Sequence, residues 1–491
     1  MLFRTIKNTS RLLVIVLTLV RHNALFIWRG EPSFEKGKRF ARALEQLGPT
    51  FIKLGQILST RSDLIGQDVA LALTELQDRV PPFPSAQVHQ IIEEQLGRKT
   101  GELFATFDDA PAAAASIAQV HFATLHDGQE VAVKILRPNI EEAFARDVSL
   151  LYWMADLVEY GFPSLLRFKL AEVARTFEDM IRFELDLRFE AAAAVELKNN
   201  LKGPTDLYVP NIHWNYTGHR VLTIERIRGI PISDVAALQA AGHDPAKLVD
   251  IAAVSFFNQV FRDGYFHADM HPGNMFVLPN GRIAVVDFGI MGRIDQRSRI
   301  YLAQILHGFL TEDYYNLAKV HFDAGFVPPH KSVESFALAM MAITKPIIGR
   351  KLSEISVARL LGQLFTTAET FEMEAQPHLL LLQKNMMLTE GVGRMLNPEV
   401  NMWQVVQPLI EHWAKENLGA RARIKEHLND GVALFRTLPT LVSRAEATLA
   451  RINAGEGLRE HMAAQRRAFH RQWLLLGWIA LAAFIALHFM R

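Results

Sequence analysis

The spacing of apolar positions divides the chain into a helical first part, a strand-rich part and a longer helical part. Apolar residues recur at helical spacing over residues 33–100, interrupted by Gly48-Pro49 and by a proline cluster at 81–84, and this predicts a helical extension. Segments rich in Val and Ile at 119–124 and 130–136 predict two strands, because a turn-forming His-Asp-Gly sequence separates them. We therefore expect a β-hairpin to follow the extension.

After the hairpin, the pattern alternates once more between helix and strand before it becomes mainly helical. Residues 168–200 predict one long helix, and two strand candidates follow at 208–213 and 220–227. Beyond Ser233 the spacing is helical apart from a loop and hairpin at 264–292. A five-stranded lobe with one inserted helix, followed by a helical lobe, fits this order, so the predicted fold class is α+β.

Two segments favour lipid as a partner, in a chain whose mean hydropathy is +0.08. Residues 473–490 contain no Lys, Arg, Asp or Glu, and as a helix they would be about 27 Å long, close to the thickness of a bilayer core. We expect a transmembrane helix there, with a helix buried in the protein as the alternative. The basic flank at 465–471 places the main body in the cytoplasm. The shorter apolar run at 12–20 predicts a helix in the membrane interface.

Charge and cysteine usage exclude several classes of function. The chain carries 53 basic and 52 acidic side chains, a net charge of +1, so no overall positive field argues for a nucleic-acid partner. It has no cysteine, which excludes disulfides, thiolate nucleophiles, zinc-thiolate sites and iron-sulfur clusters. A reducing environment that faces the cytosol is the simple interpretation.

Three groups of residues have the order and spacing that phosphoryl transfer requires. Lys134 ends the sequence Val-Ala-Val-Lys on the second strand of the hairpin, where an inward-facing amine would neutralise nucleotide phosphates. Asp269 and Asn274 have the spacing of a kinase catalytic loop, and Asp287-Phe288-Gly289 follows a Val-rich strand. We therefore predict ATP and Mg²⁺ as cofactors. The predicted catalytic residues are Lys134 and Asp269, and the predicted magnesium ligands are Asn274 and Asp287.

The long predicted helix carries three acidic residues that are candidates for pairing with lysine. Asp186 and Glu190 lie four residues apart and share a face of a continuous helix, whereas Glu184 lies well round from Glu190. One straight helix cannot send both glutamates to one lysine, so we expect two cationic partners for this helix. A solvated acidic face paired with Arg182 and Arg188 is the alternative.

Four short motifs give the chain a resemblance to the UbiB family of atypical kinases, from about residue 30 to about residue 410. They are Lys53-Leu54-Gly55-Gln56, which resembles the KxGQ signature; Glu184-Leu185-Asp186, which resembles ExD; Ala113-Ala114-Ala115-Ser116, which resembles the Ala-rich nucleotide loop; and His267 to Asn274, which resembles the catalytic loop. The resemblance implies a two-lobed, kinase-like fold that binds magnesium and ATP, has ATPase activity and supports ubiquinone biosynthesis.

The resemblance also implies roles for individual residues and a set of partners. The Ala-rich loop and Glu225 would contact the nucleotide, and the extension would fold over the active site. The residues with an implied regulatory or family role are Lys53, Gln56, Glu184, Asp186 and Glu190. Membrane lipid, prenylated quinone precursors and other enzymes of ubiquinone biosynthesis are the expected partners at the bacterial inner membrane. A homodimer is a further expectation for a membrane-tethered protein.

Together these patterns predict an atypical protein-kinase-like fold with a helical N-terminal extension and a C-terminal transmembrane helix. Its segments are an interfacial segment at 1–30, the extension at 31–103, an N-lobe at 104–232, a helical C-lobe at 233–410, a helical tail at 411–472 and the transmembrane helix at 473–490.

The Ala-rich loop has a physical consequence of its own. Glycine lets such a loop approach phosphates closely, whereas alanines stiffen it and restrict positive φ. No Ala-Pro-Glu sequence follows Asp287, so the usual platform for a peptide substrate is absent from the sequence. We therefore expect poor transfer to protein acceptors.

Two other classes of function stay open on the sequence. His267 and Asp269 with a later histidine match the two-His-one-carboxylate triad of a non-heme iron oxygenase, although this leaves Lys134, Asn274 and Asp287 without roles. A nucleotide-gated scaffold or lipid chaperone would use the same ATP site without catalysis. Metal analysis separates the oxygenase from a kinase, and ATP turnover separates the scaffold from an enzyme.

Overall fold

The computed structural model describes residues 2–24, 33–59, 65–74, 76, 81–161, 170–201, 206–346, 363, 366–368, 370–373, 377–399 and 407–413. All of them belong to one compact unit, Met1–Ala414. The predicted transmembrane helix at 473–490 lies outside the described residues, as does the predicted tail from residue 414 onward, and both stay predictions. Within the described ranges, no helix is both long and apolar enough to cross a bilayer.

The described part of the extension is helical, as predicted. It contains α2 (Phe34–Leu47), α3 (Pro49–Ser59), α4 (Gln67–Thr74), α5 (Ser85–Leu96) and α6 (Thr100–Leu103), and the segment before it contains α1 (Leu2–Arg21). Glycines allow these helices to approach closely. A Cβ at Gly37 would lie 2.5 Å from Ala72 Cβ, and one at Gly55 would lie 2.4 Å from Leu76 Cδ1. Close helix packing therefore accounts for the glycine of the KxGQ-like motif.

The strands form a five-stranded sheet in the N-lobe, and a four-stranded sheet and a two-stranded pair in the C-lobe. In chain order they are β1 (Phe104–Phe107), β2 (Ala113–Ala114), β3 (Ala118–Leu125), β4 (Glu130–Leu136), β5 (Leu207–Tyr208), β6 (Val221–Glu225), β7 (Ile230–Pro231), β8 (Tyr265–His267), β9 (Met275–Val277), β10 (Ile283–Val285) and β11 (Met291–Arg293). The N-lobe sheet has the order β1-β3-β4-β6, and β2 also pairs with β3.

The predicted hairpin is β3 and β4, and its register decides which way Lys134 faces. Val131, Val133 and Ile135 of β4 are fully buried against α5. Lys134 lies on the opposite face, because successive side chains of a strand point to opposite sides of the sheet. Leu136 shares that face and packs against the helices that follow the hairpin. The lysine therefore faces the side of the sheet on which the following helices pack, rather than bulk solvent.

The prediction of one long helix at 168–200 is wrong, as is the prediction of a single inserted helix. Between β4 and β5, the described helices are α7 (Ile140–Gly161), α8 (Leu170–Glu184) and α9 (Leu187–Asn200). Asp186 has an extended backbone, with φ of −115°, and its side chain accepts a hydrogen bond from Arg188 N. Because aspartate is a good N-cap, the chain ends one helix and begins another at this residue.

The strand candidate at 208–213 is divided between the two lobes. Tyr208 belongs to β5, which pairs in parallel with β10 in the four-stranded sheet of the C-lobe, whereas Ile212 forms an antiparallel bridge with Ile224 of β6 in the N-lobe sheet. The N-lobe sheet reaches five strands through β2, which pairs with β3. A two-residue strand leaves too short a pattern for the sequence to reveal it.

The C-lobe is mainly helical around a small strand region, as predicted. Its described helices are α10 (Val235–Ala240), α11 (Pro245–Phe257), α12 (Gln296–Leu310), α13 (Tyr314–Asp323), α14 (Val333–Thr344) and α15 (Pro377–Leu396). Helix α11 continues into a π-helical turn, Asn258–Asp263, which ends at Gly264 with φ of 66°. Strand β8 follows at once, and the predicted catalytic loop lies between β8 and β9.

Candidate functional site

Lys134, Glu190 and Asp287 meet between the two lobes. Lys134 Nζ donates to both carboxylate oxygens of Glu190, at 2.8 and 2.9 Å, and to Asp287 Oδ1 at 3.2 Å. The side chains of Lys134 and Glu190 are 18% and 9% exposed, whereas that of Asp287 is 51% exposed. The structure therefore brings two of the predicted site residues together with one glutamate of the acidic segment, and Asp287 is the member that faces solvent.

The charges of this cluster stabilise one another. Burial by itself would lower the pKa of Lys134, but the carboxylates of Asp287 and Glu190 outweigh burial and raise it. The charge of Lys134 lowers the pKa of Asp287 well below its usual range against the effect of burial, and Lys53 adds to this. Burial raises the pKa of Glu190, and Lys134 opposes the rise. Because Glu190 accepts two hydrogen bonds from the ammonium group, the geometry favours the ionised pair.

Lys53 brings the extension to the same cluster. It lies on α3, and its Nζ is 3.0 Å from Glu184 Oε2 at the end of α8, with the two side chains 11% and 16% exposed. Since the charge of Lys53 also lowers the pKa of Asp287, this part of the extension lies near the cluster, and the covering of the active site that the resemblance implied stays a prediction. Gln56 is half-buried on the same helix, and its carbonyl accepts a hydrogen bond from the Ser59 hydroxyl at 2.6 Å. A role for the Gln56 side chain stays a prediction.

Lys53 and Lys134 are the two cationic partners expected for the acidic segment, one for Glu184 and one for Glu190. The expected shared face of Asp186 and Glu190 is wrong, because Asp186 lies in the break between α8 and α9. Its carboxylate accepts hydrogen bonds from the guanidinium of Arg188, at 2.9 and 2.7 Å, and these lower its pKa. Asp186 thus has a capping function that the helical spacing did not reveal.

The predicted catalytic loop is closed by hydrogen bonds between its own residues. Asp269 N donates to His267 Nδ1 at 3.2 Å. Asn274 Nδ2 donates to the Asp269 carbonyl at 3.1 Å and lies 3.4 Å from Asp269 Oδ2. Val286 N donates to the Asn274 carbonyl at 3.0 Å, which places Asp287 beside the loop. The predicted catalytic aspartate and both predicted magnesium ligands therefore lie on two adjoining segments.

Asp287 has a left-handed backbone, with φ of 64°, which is uncommon for a residue other than glycine. Its Oδ1 accepts a hydrogen bond from Gly289 N at 3.3 Å as well as the one from Lys134. Strained backbone of this kind concentrates at functional sites, where the surrounding structure holds it. Here the strain turns the chain directly after β10, next to the catalytic loop.

The Ala-rich loop is a tight hairpin. Its first two alanines form β2, which pairs with β3, and Ala115 N donates to the Ala118 carbonyl at 2.8 Å. Ser116 is fully buried, and within the described part of the chain its hydroxyl oxygen has no hydrogen-bond partner. The stiffness expected from alanine is therefore reinforced by sheet pairing. Nucleotide contact by Ala113, Ala114, Ala115 and Ser116 stays a prediction.

Arg137, which the sequence did not single out, ties this loop to the proline-rich linker. Its Nε donates to the Ala115 carbonyl at 2.9 Å, and its Nη2 donates to the Pro81 carbonyl at 3.0 Å. Gln119 adds to the link, because its Oε1 accepts a hydrogen bond from Phe83 N at 3.0 Å. A lone arginine after a strand gives no sequence signal for such a link, since its partners lie in other segments.

Glu225, predicted as a nucleotide contact, is engaged with neighbouring protein groups. Its carboxylate accepts hydrogen bonds from the Tyr208 hydroxyl at 2.7 Å and from Asn211 Nδ2 at 2.8 Å. Tyr208 belongs to a C-lobe strand, so the glutamate links the two lobes where the chain passes between them. Burial and the adjacent carboxylate raise the pKa of Tyr208 to about 12, which keeps its hydroxyl as a donor.

The iron-oxygenase alternative required His267 as a metal ligand. His267 is buried, and its Nδ1 accepts the hydrogen bond from Asp269 N while its Nε2 lies 3.4 Å from the Val286 carbonyl. Among the described residues, no group of three or more His, Cys, Asp or Glu side chains is placed to hold a metal ion. The ring nitrogens of His267 are thus engaged with the backbone of the kinase-like hairpin.

Comparison with known proteins supports the kinase-like interpretation. The ABC1 atypical kinase-like domain matches residues 75–321, and the UbiB helical domain matches residues 340–401. A relative from Marinobacter nauticus, named probable protein kinase UbiB, is 44% identical over 422 residues, which are 84% of this chain and 77% of the relative. A relative of the same name from Azotobacter vinelandii is 44% identical over 390 residues, which are 79% of this chain and 73% of the relative.

A solved structure has the same overall arrangement. The Mycobacterium tuberculosis protein Rv3197, in its complex with erythromycin, superimposes with a TM-score of 0.54 at 27% identity, over 75% of this chain and 93% of that protein. The relatives confirm the resemblance that the four motifs indicated, and the clustered site residues lie within the matched kinase-like domain. The chain therefore belongs to the UbiB family of atypical kinases with an ABC1 kinase-like domain.

Proposed function

We propose that this protein is an atypical kinase or ATPase that binds Mg-ATP and supports ubiquinone biosynthesis at the bacterial inner membrane, where it acts on or mobilises prenylated lipid intermediates. The observation that carries the proposal is the contact of Lys134 with both Glu190 and Asp287. The contact joins Lys134, on a strand of the N-lobe, to Asp287, on a turn of the C-lobe. The lysine provides a cation for nucleotide phosphates, and the aspartate provides a carboxylate for a metal ion. Phosphoryl transfer requires that pairing across a cleft.

The residues at the cleft fit magnesium and nucleotide. The carboxylate of Asp287 is ionised and half exposed, and Asn274 and Asp269 contribute further oxygen atoms, the ligand type that magnesium prefers. When bound, the ion would neutralise charge on the phosphate oxygens. Asp287 and Asn274 would hold it, Lys134 would bind the phosphates, and Asp269 would orient the attacking hydroxyl or water.

The position of the extension favours a small or lipidic acceptor over a protein. Lys53 reaches Glu184 beside the Lys134 cluster, so α3 occupies part of the approach to the cleft. The Ala-rich loop is held to the linker by Arg137, which limits its opening. A flexible peptide needs an open platform, whereas a lipid headgroup or a water molecule does not.

Helix α1 supports a position at a membrane surface. One side of it packs on the extension through Ile15, and Arg11 anchors it by donating to Asp147 at 2.9 Å. Residues 1–30 contain five basic and no acidic side chains, which suits an anionic headgroup region. The opposite side exposes apolar residues that would enter the interface, namely Leu13, Val14, Leu17 and Val20.

A nucleotide-gated scaffold or lipid chaperone is the second candidate. The ion pair of Lys53 with Glu184 favours it, because nucleotide near Asp287 would act on the same charges that hold α3 over the cleft. In that case ATP would change the position of the extension, and turnover would be incidental.

The experiment that tests the proposal measures nucleotide binding and ATP hydrolysis by the full chain in vesicles of anionic lipid, with candidate prenylated phenols added one at a time. We expect magnesium-dependent ATP binding and turnover that a prenylated phenol stimulates. Binding without turnover, together with normal ubiquinone content in cells that carry an inactive variant, would favour the scaffold. Absence of magnesium-dependent nucleotide binding would contradict both candidates.

A further inference from the structure

A single buried asparagine from the C-terminal half of the C-lobe contacts both sides of Asp269. Asn385 lies on α15 and is fully buried. Its Nδ2 donates to the His267 carbonyl at 2.7 Å, and its Oδ1 accepts a hydrogen bond from Met270 N at 2.9 Å. Both ends of the amide are therefore committed to the backbone of the catalytic loop, at the second residue before Asp269 and at the residue after it.

These two hydrogen bonds satisfy backbone groups that are remote from water. His267 and Met270 are each 1% exposed, so an unpaired carbonyl or N–H at either residue would be costly. The same loop is supported from another side by Gln259 of the π-helical turn, whose Oε1 accepts a hydrogen bond from His267 N at 2.9 Å. Side chains from outside the loop thus hold its backbone on both flanks of Asp269.

The surroundings of Asn385 argue against a role as ordinary core filling. Leu382 and Val392, three residues before and seven residues after Asn385 on the same side of α15, are both buried, so an apolar side chain would suit this position. Thr389, one turn further along, is also buried, but its hydroxyl bonds only within the helix, to the Asn385 carbonyl at 2.9 Å. The two residues are therefore suitable for comparison, because Asn385 forms hydrogen bonds with the loop and Thr389 forms one with its own helix.

We propose that Asn385 is a positioning residue, which holds the catalytic loop so that Asp269 meets the attacking group. This inference rests on the proposed kinase or ATPase function. A displacement of about 1 Å at a reacting group costs roughly a hundredfold in rate. The helical-domain segment that carries α15 therefore contributes to catalysis through this side chain, without itself contacting the nucleotide.

The test compares Asn385→Leu and Asn385→Asp with the control Thr389→Val in the full chain. Asn385→Leu keeps the volume and removes both hydrogen bonds, whereas Asn385→Asp keeps an acceptor for Met270 N and loses the donor to His267. We expect the turnover number for ATP to fall about a hundredfold for Asn385→Leu and less for Asn385→Asp, with the Kd for Mg-ATP within about twofold of the parent. Thr389→Val should leave both quantities unchanged.

Two further measurements separate positioning from loss of structure. In an Asp269→Asn background, Asn385→Leu should reduce turnover no further, because the two residues act as one unit. Hydrogen exchange at Met270 N should become about tenfold faster or more in Asn385→Leu, but not in Thr389→Val. If Asn385→Leu does not fold, the same comparisons are made with Asn385→Asp.

Each outcome decides the proposal. Unchanged turnover in both Asn385 variants overturns the proposal. It is also overturned if turnover and nucleotide affinity fall only in proportion to the fraction of unfolded protein, because that result indicates a structural role alone. If the parent itself binds or hydrolyses no ATP, the proposed function fails. Hydrogen exchange then decides separately whether Asn385 positions the loop. Unchanged exchange at Met270 overturns the positioning role, and faster exchange confirms that Asn385 holds the loop.

Discussion

Two lysines from different regions act on the carboxylate of Asp287, and the molecule holds them in different ways. Lys134 lies in the middle of β4, where pairing with β3 on one side and β6 on the other fixes its register. Lys53 lies on α3, which is attached by apolar packing and by the ion pair with Glu184. Central strands open only with much of the domain, whereas peripheral helices open locally. The comparison predicts that local opening of the structure moves Lys53 away from Asp287 more readily than Lys134.

The largest effect should come from Asp287→Asn, which removes the carboxylate that both lysines act upon. A neutral amide is a much poorer ligand than a carboxylate for a hard cation, so we expect ATP turnover to fall by at least about 10³-fold, with the fold intact. Magnesium-dependent nucleotide binding and ATP hydrolysis measure this, with circular dichroism as the control for folding. Normal hydrolysis by this variant would mean that the shared carboxylate is not part of the site.

Asp269→Asn leaves both lysines and Asp287 in place, and so isolates the catalytic loop. In the catalytic loop, Asp269 lies beside Asn274, whose Nδ2 donates to the Asp269 carbonyl. We expect turnover to fall about 10² to 10⁴-fold, while the Kd for Mg-ATP changes by no more than about threefold. Titration with a fluorescent ATP analogue and single-turnover hydrolysis measure the two quantities. A parallel loss of affinity would assign Asp269 to nucleotide binding.

Lys134→Ala should reduce both nucleotide affinity and stability. The phosphates lose their cation, and Glu190 is left buried without its partner, which costs about 3 kcal/mol of unfolding free energy. We expect the Kd for Mg-ATP to rise by about one to two orders of magnitude. Isothermal titration and denaturant unfolding measure these effects, and Lys99→Ala, at an exposed lysine of the extension, is the control. Unchanged affinity would remove Lys134 from the site.

Lys53→Ala should have a smaller effect on nucleotide binding, because it weakens the attachment of α3 and leaves Lys134, Glu190 and Asp287 in place. Loss of the ion pair with Glu184 should cost about 1 kcal/mol of stability. Hydrolysis of ATP should stay within about fivefold of the parent, while labelling of the protein by radioactive ATP increases because access to the cleft improves. Arg39→Ala, at an exposed position of α2, is the control. A loss of nucleotide binding as large as that of Lys134→Ala would contradict the difference proposed between the two lysines.

The smallest effect concerns His121, which pairs with Val133 on the strand that carries Lys134. Burial lowers the pKa of His121, so its folded-state pKa lies below the unfolded value of about 6.5. Below about pH 6.5 the unfolded chain therefore binds more protons than the folded chain, so the folded state loses stability as the pH falls below that value. Above that value this contribution to stability is fully present. Thermal unfolding at several pH values should show a shallower loss for His121→Gln than for the parent or for His126→Gln, an exposed control. Equal slopes would contradict this assignment.

The sequence by itself determined those parts of the site that depend on neighbouring residues. The β3–β4 hairpin follows from a turn signal between two strand patterns, and this sets the direction of Lys134. Asp269 and Asn274 are close because their short spacing allows one loop to join them. The family resemblance added Lys53, which helical periodicity alone would have placed on a solvated surface.

Only the tertiary structure decided the features whose partners are distant in the chain. Helical spacing predicted one acidic helix, but the cap at Asp186 divides it and sends Glu184 and Glu190 to different lysines. An asparagine on a helix gives no sequence signal that its side chain holds a loop more than a hundred residues earlier, as Asn385 does. Local patterns record backbone preference and the side of an element that is buried, whereas these contacts depend on which surfaces meet after the elements have packed.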